Sequence, residues 1–334
     1  MTQTPVPVPA VAAGPGPARR LLRATAVVAC LPYLGLKAAW IAGSRIGIPD
    51  GSALLDHRVT MAVANGLSML LDSGVIVLAL VLTRPWGRRA PAWVLVLPAW
   101  VATGLLAPIM AGFPLQLVAR AFAGGVATGA DARREPFLHE WVFGVVYAGF
   151  IVQGLALGAL FVLHARERWG HLWRGRMGDL PAGVVDRGRR AVAVAAAVLA
   201  LFPAAVRLLW ACGGTAGLGA GRAAERTSDF HVLEGLYVAF LVAAVTGTLL
   251  LAFRRGRVLP VAVPVALTWV CSGAVACWGG WMLLGTLATA GNPADRPTDL
   301  VLLTYAAQMI VGLLLASVGV HFLARRPAAA RVRP

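Results

Sequence analysis

Residues 230–253 read FHVLEGLYVAFLVAAVTGTLLLAF, a run in which Glu234 is the only Asp, Glu, Lys or Arg. About 20 such residues are enough for a helix to cross the ~30 Å hydrocarbon core of a bilayer. Seven more runs of this kind occur, at about 24–44, 59–83, 91–113, 137–164, 191–213, 258–288 and 299–323. Because lipid offers no hydrogen-bond partner to a backbone N–H or C=O, each run is expected to be helical. The sequence therefore predicts an all-α, polytopic membrane protein with eight transmembrane helices.

The composition of the chain agrees with this class. Of its 334 residues, 59% are hydrophobic and 13% charged, whereas soluble domains carry roughly a quarter charged residues. The net charge of +16 is distributed over short segments between the apolar runs, which is unlike the concentrated basic face of a nucleic-acid-binding protein. The expected partners are therefore the bilayer and anionic lipid headgroups near the arginine clusters, with no nucleic acid. A second copy of the chain or another membrane protein stays open as a partner.

The arginines divide unequally between the two sides of the predicted membrane. Twenty lie on the side of the two termini and eight on the other side. Since cytoplasmic loops carry the excess of Lys and Arg, both termini are predicted to be cytoplasmic. Arg outnumbers Lys 29 to 1, and Ala, Gly, Val and Leu fill the apolar runs, which suggests a GC-rich bacterial genome. The predicted location is thus a bacterial cytoplasmic membrane.

The two halves of the chain resemble each other at an offset of 169 or 170 residues. Trp40 corresponds to Trp210 at an offset of 170, and Trp100 to Trp269 at 169. When a unit with an even number of spans is duplicated, the second copy enters the membrane in the same direction as the first. Two tandem, parallel four-helix repeats are therefore expected. The predicted organisation is a disordered cytoplasmic tail, a first four-helix unit, a basic cytoplasmic linker, a second four-helix unit and a cytoplasmic tail, at 1–20, 21–165, 166–190, 191–325 and 326–334.

Charged and amide residues inside the predicted spans are the candidates for binding a substrate or ion. An ionisable residue at a helix centre costs at least ~2.5–3.5 kcal/mol, which marks such residues for function. The candidates are four charged residues within the predicted spans and Asn65, an amide on the same predicted helix face as Asp72. The five residues are Lys37, Asn65, Asp72, Arg207 and Glu234. Their spacing predicts that each first helix carries a cation facing an acidic or amide residue on the second helix. Trp40 and Trp210 follow their cations by three residues, which allows a cation–π contact.

Two interpretations of these residues stay open. They can form a polar centre for an anionic substrate, an ion or a proton relay, or they can be buried pairs that lock the helices in register. HExxH, GxSxG, Walker A and dinucleotide-binding signatures are missing from the sequence. A non-enzymatic protein for small-molecule or ion transport is therefore favoured, and a structural subunit of a membrane complex is a further alternative. No cofactor is predicted on this reading.

The histidines support another alternative. His57 precedes the second predicted helix and His139 the fourth, so two imidazoles stand at the outer face of the first unit, where they could ligate a haem axially. In this layout the chain resembles the haem A synthase family, a duplicated eight-helix family with paired histidines in each half. The resemblance implies a haem-binding or haem-modifying membrane enzyme. In the second half His231 corresponds to the first ligand, but residues 297–300 at the start of the eighth helix, PTDL, offer no second histidine.

Overall fold

The helices of the chain are visible in a computed structural model that describes residues 16–50, 52, 58–122, 138–181, 183–219, 223, 226–289 and 297–330. Within these ranges, eight helices are long and apolar enough to cross a membrane. They are α1 Pro17–Ile41, α2 Arg58–Thr83, α3 Ala92–Phe122, α4 Glu140–Trp169, α5 Arg187–Ala211, α6 Ser228–Phe253, α7 Ala262–Thr289 and α8 Asp299–Ala330. The described residues contain no β-strand. The predicted all-α class with eight long apolar helices is therefore confirmed.

Several helices extend beyond the predicted spans. Helix α1 begins at Pro17, inside the segment 1–20 that was predicted to be a disordered tail. Helix α3 continues through Pro114 to Phe122, and α8 continues to Ala330, inside the predicted tail 326–334. The length of an apolar run predicts only the part of a helix that lies in the hydrocarbon core of the bilayer. Strong helix formers such as Ala, Arg and Leu continue the helix past that limit.

Helices α1–α4 are called here the first unit and α5–α8 the second unit. In the first unit, α1 packs on α2 and α4, and α4 also packs on α2 and α3. In the second unit, α5 packs on α6 and α8, and α7 packs on α6 and α8. Helix α3 joins the two units because it packs against both α6 and α7.

The contact between α3 and α7 brings two backbones close together. A Cβ atom on Gly104 would collide with the carbonyl of Gly273, so only glycine fits at this crossing. Small residues at helix crossings allow this close approach in membranes, where packing rather than hydrophobicity drives association. Trp100 Nε1 donates to Ser272 Oγ at 3.3 Å, which adds a polar contact to the same interface.

The arginine-rich segments lie together at one end of the bundle, called here the basic end. Arg168 at the end of α4 donates to the Ala90 carbonyl before α3 at 2.8 Å. Arg326 in α8 donates to the Leu172 carbonyl after α4, also at 2.8 Å. These bonds join helix ends that are distant in the chain. The distribution of arginines along the sequence therefore corresponds to one end of the structure.

The segment between α4 and α5 packs against the basic end of the second unit. The amide N–H of Met177 donates to the Leu259 carbonyl at 2.9 Å, and that of Val261 donates to the Gly175 carbonyl at 3.0 Å. Met177 and Leu180 are buried in a cluster that also contains Leu251, Val261 and Phe322, among others. The segment that was predicted as a basic linker is thus held by a small apolar core of its own.

The outer surface of the bundle is apolar along the middle of the helices. Leu70, Leu97, Leu201 and Leu303 are exposed at positions where a soluble protein would carry polar side chains. Exposed apolar surface on this scale indicates a membrane or protein interface. The eight apolar helices and their surface are consistent with an integral membrane protein.

Candidate functional site

Two turns of matching geometry follow the helices that carry the buried cations. After α1, Gly43 and Gly47 have φ angles of 91° and 75°, and after α5 Gly213 and Gly217 have 93° and 75°. These left-handed values favour glycine, which has no Cβ to clash. Each turn accepts a tryptophan N–H from the helix before it. The two bonds are Trp40 Nε1 to the Ile46 carbonyl at 2.7 Å and Trp210 Nε1 to the Ala216 carbonyl at 3.0 Å.

Lys37 and Arg207 each lie four residues before the end of their helix. At 1.5 Å rise per residue, each cation is therefore about 6 Å inside its helix end. Both helix ends are opposite the basic end, because α1 and α5 begin there. The two cations thus lie equally far from the ends of their helices.

The Arg207 site, formed by Arg207, Glu234, Gln308, Tyr237 and Tyr305, is closed. Arg207 Nη1 donates to the two carboxylate oxygens of Glu234 at 2.9 and 2.8 Å. Arg207 Nε donates to Gln308 Oε1 at 2.9 Å. The guanidinium lies 4.3 Å from the ring centroid of Tyr237 and 5.2 Å from that of Tyr305. The side chains of Arg207 and Glu234 are only 1% and 8% exposed, so this ion pair is sealed within the second unit.

Two donors in the Arg207 site are unsatisfied. Among the described residues, Arg207 Nη2 and Gln308 Nε2 have no hydrogen-bond partner although both atoms are buried. A buried donor without a partner costs about 1–3 kcal/mol. The positive and negative charges of the site balance, so these donors suit a neutral acceptor better than an anion.

The Lys37 site, formed by Lys37, Asn65, Asp72, Gln153 and Tyr33, is more open. Lys37 Nζ donates to Asn65 Oδ1 at 2.6 Å. The ammonium group lies 4.9 Å from the ring centroid of Tyr33 and 5.1 Å from that of Trp40. Lys37 is half-buried, in contrast to the fully buried Arg207. The side chain of Lys37 is therefore less enclosed by the protein than that of Arg207.

The carboxylate of the Lys37 site lies deeper in the unit. Gln153 Nε2 donates to Asp72 Oδ1 at 3.3 Å, while Asp72 Oδ2 has no hydrogen-bond partner among the described residues. Asp72 follows Asn65 by seven residues, which is about 10 Å along the same face of α2. The site thus contains a cation and a carboxylate with one unsatisfied oxygen.

The predicted pairing of cations with residues on the next helix is confirmed. Lys37 contacts Asn65, and Arg207 contacts Glu234. The predicted cation–π contact is confirmed for Trp40, whereas the rings beside Arg207 belong to two tyrosines. The role of these residues in binding stays a prediction.

Sequence reasoning missed the glutamines that complete each site. Gln153 in α4 and Gln308 in α8 are almost fully buried and contact Asp72 and Arg207, respectively. Each glutamine is a polar amide side chain within a long apolar helix. This position in the sequence is the feature from which both could have been predicted.

The histidine prediction stays a prediction. His57 lies outside the described residues. His139 is exposed at the residue before α4, and its amide N–H donates to the Gly47 carbonyl at 2.9 Å. His231 lies in the first turn of α6, where Nδ1 is 3.0 Å from the Trp210 carbonyl oxygen. Among the described residues, no three His, Cys, Asp or Glu side chains cluster as a metal site would need.

Comparison of the chain with family models, with curated proteins and with solved structures finds no match.

Proposed function

We propose that the chain is a multi-pass membrane protein of two tandem, parallel four-helix units that binds a small polar molecule or ion at the Lys37 site. The role is non-enzymatic, and transport across the membrane is the favoured form of it. The basic end faces the cytoplasm of a bacterial cell, so both termini are cytoplasmic and the polar sites lie toward the outer face.

Matching structural features support the tandem arrangement. The turns after α1 and α5 have the same pattern of positive φ angles and the same tryptophan bond. Gly104 and Gly273, which correspond at an offset of 169 residues, contact each other between the units. Contact between equivalent residues is expected at the axis of a two-fold relation between α3 and α7.

The observation that carries the binding proposal is the composition and accessibility of the Lys37 site. A half-buried cation and a buried carboxylate with an unpaired oxygen lie within the apolar helices α1 and α2. Charged groups are expensive at this depth and are retained there mostly for function. The sealed ion pair of Arg207 and Glu234 then holds the second unit in register, while the corresponding place in the first unit accepts a ligand.

Ligand-dependent stability tests the proposal. The purified protein is heated in detergent with sodium chloride, sodium acetate, sodium phosphate or glycine at constant ionic strength. A ligand at 100 times its Kd stabilises the folded state by about 2.7 kcal/mol, which is readily detected as a higher unfolding temperature. We expect at least one probe to stabilise the wild type, and the stabilisation to disappear in Lys37→Met and Asp72→Asn.

Arg45→Gln is the matched control, because Arg45 is an exposed cation in the turn after α1. It should respond to the probes as the wild type does. Stabilisation that survives in both Lys37→Met and Asp72→Asn, or that is lost in Arg45→Gln, would contradict binding at the Lys37 site. Uptake of the stabilising probe into proteoliposomes then separates transport from binding alone.

A further inference from the structure

A groove of about 720 Å³ runs along the outer surface of the second unit between α5 and α6. Val194, Ala197 and Leu201 line it from α5, and Val245 and Leu249 line it from α6. The spacings of three and four residues place each set on one face of its helix. The lining is almost entirely apolar, and Arg255 stands at the end of the groove. The groove is therefore a shallow apolar depression in the outer surface with a cation at its basic end.

Two consecutive arginines at the end of α6 have different roles. Arg254 ends the helix in the left-handed conformation, with φ 53°, and its guanidinium donates to the Leu180 carbonyl of the segment after α4. Arg255 is exposed and lines the groove. The left-handed turn thus directs one arginine toward the protein and the next one toward the groove.

The length of the groove suits one acyl chain. From Val245 to Phe253 on α6 is eight residues, or about 12 Å of helix. One leaflet contributes about half of the ~30 Å hydrocarbon core, so the groove covers most of the depth of that leaflet. Arg255 directly follows the end of α6 at the basic end, which is where lipid phosphates are expected beside a membrane-spanning helix.

We propose that this groove binds one acyl chain of an anionic phospholipid from the leaflet at the basic end, with the headgroup phosphate on Arg255. The apolar lining accepts the chain of any phospholipid. Arg255 selects for net negative charge, because a zwitterionic headgroup brings a cation of its own close to the guanidinium. One arginine near a membrane surface contributes about 1 kcal/mol of attraction to anionic lipid. The site is independent of the Lys37 site and of any ligand bound there.

Native mass spectrometry of the full chain in detergent tests the proposal with two lipids of identical chains. Dioleoyl phosphatidylglycerol is anionic and dioleoyl phosphatidylcholine is zwitterionic. We expect the wild type to retain one phosphatidylglycerol with an apparent affinity about fivefold higher than for phosphatidylcholine, which is the factor that ~1 kcal/mol gives. Arg255→Gln should reduce this preference to about one. Ala197→Phe, which fills the groove, should weaken the retention of both lipids.

Two substitutions serve as controls. Arg257→Gln removes an exposed arginine two residues away that is not part of the groove, and Ala195→Phe adds a ring to an exposed position on another face of α5. Both should keep the fivefold preference. Equal affinity of the wild type for the two lipids, or a preference that survives in Arg255→Gln, would overturn the proposal. Arg255→Gln changes no buried contact, so it decides the question even if Ala197→Phe does not fold.

Discussion

The ion pair of Arg207 and Glu234 leads to a strong expectation about mutants that remove one or both of its members. Among the described residues, Glu234→Leu leaves Gln308 Oε1 and two tyrosine rings as the partners of the Arg207 guanidinium. Arg207→Leu leaves the Glu234 carboxylate and the Gln308 carbonyl without their donor. The double substitution removes both charges and leaves apolar side chains in an apolar unit.

The expected magnitudes follow from burial. The two side chains are 1% and 8% exposed, so water cannot replace the lost partner of either charge. Breaking a buried pair by removing one member costs about 3–5 kcal/mol, whereas apolar replacement of both members is often neutral. Each single substitution should therefore lower the free energy of unfolding by about 3–5 kcal/mol. The double substitution should lower it by much less than the sum.

An exposed ion pair provides the comparison. Arg120 in α3 pairs with Asp229 in α6, with side chains that are 59% and 22% exposed. Exposed pairs contribute about 0.2–1 kcal/mol, so Asp229→Leu should have a small effect. The free energies are measured by SDS titration of the protein in mixed micelles, with tryptophan fluorescence as the signal. If the single effects at Arg207 and Glu234 simply add in the double mutant, the two residues do not interact, which would contradict the ion pair.

Three other predictions concern the crossing between the units, the histidines and a helix cap. Gly104→Ala should destabilise the protein by about 1–3 kcal/mol in the same titration, because its Cβ collides with α7, whereas Gly66→Ala, where a Cβ meets nothing within 4 Å, should not. The purified wild type should show no Soret absorbance; a Soret band that is lost in His139→Ala would instead favour the haem alternative. Asp186 is the N-cap of α5, and its carboxylate accepts a hydrogen bond from the amide N–H of Arg189 at 2.8 Å. This bond lowers the pKa of the Asp186 carboxyl below its ordinary 3.8, so the stability that the carboxylate contributes is present above pH 3.8 and is lost as the pH falls through the lower folded pKa. The difference in unfolding temperature between wild type and Asp186→Ala should accordingly shrink below pH 3.8.

The existence and order of the helices could be predicted because membrane spans have a simple physical signature. A run of about 20 apolar residues has few alternatives to a helix in lipid. The helix ends could not be predicted in the same way, since Pro17 and Ala330 lie in segments that are not hydrophobic. Their helical state depends on residue propensity rather than on burial in lipid.

Part of each polar site could be predicted from the free-energy cost of placing a charged side chain in the membrane. An unpaired Arg207 within a span would cost several kcal/mol of free energy, so it was expected to have a partner. Glu234 on the next helix was the nearest acidic residue within a predicted span that could fill this role. Gln308 is 101 residues away from Arg207, and no local pattern connects the two. Contacts of this range depend on how α5 packs on α8, which one sequence does not specify.

The folded segment after α4 was beyond prediction for a similar reason. Residues 170–186 have no helical or strand periodicity. Met177 and Leu180 are buried by residues of α6, α8 and the connection before α7. The arginines in this segment predicted its side of the membrane, whereas its packing depends on partners that are distant in sequence.

Cysteine labelling in sealed cells tests the arrangement of two parallel units with the basic end inside. The background is Cys212→Ser, which removes an exposed cysteine. Arg45→Cys and Thr215→Cys lie at exposed, corresponding positions in the two turns opposite the basic end, and Arg174→Cys lies at the basic end. A membrane-impermeant maleimide should label the first two in intact cells and the third only after lysis. Labelling of Arg45→Cys and Thr215→Cys from opposite sides of the membrane, or labelling of Arg174→Cys in intact cells, would contradict the account.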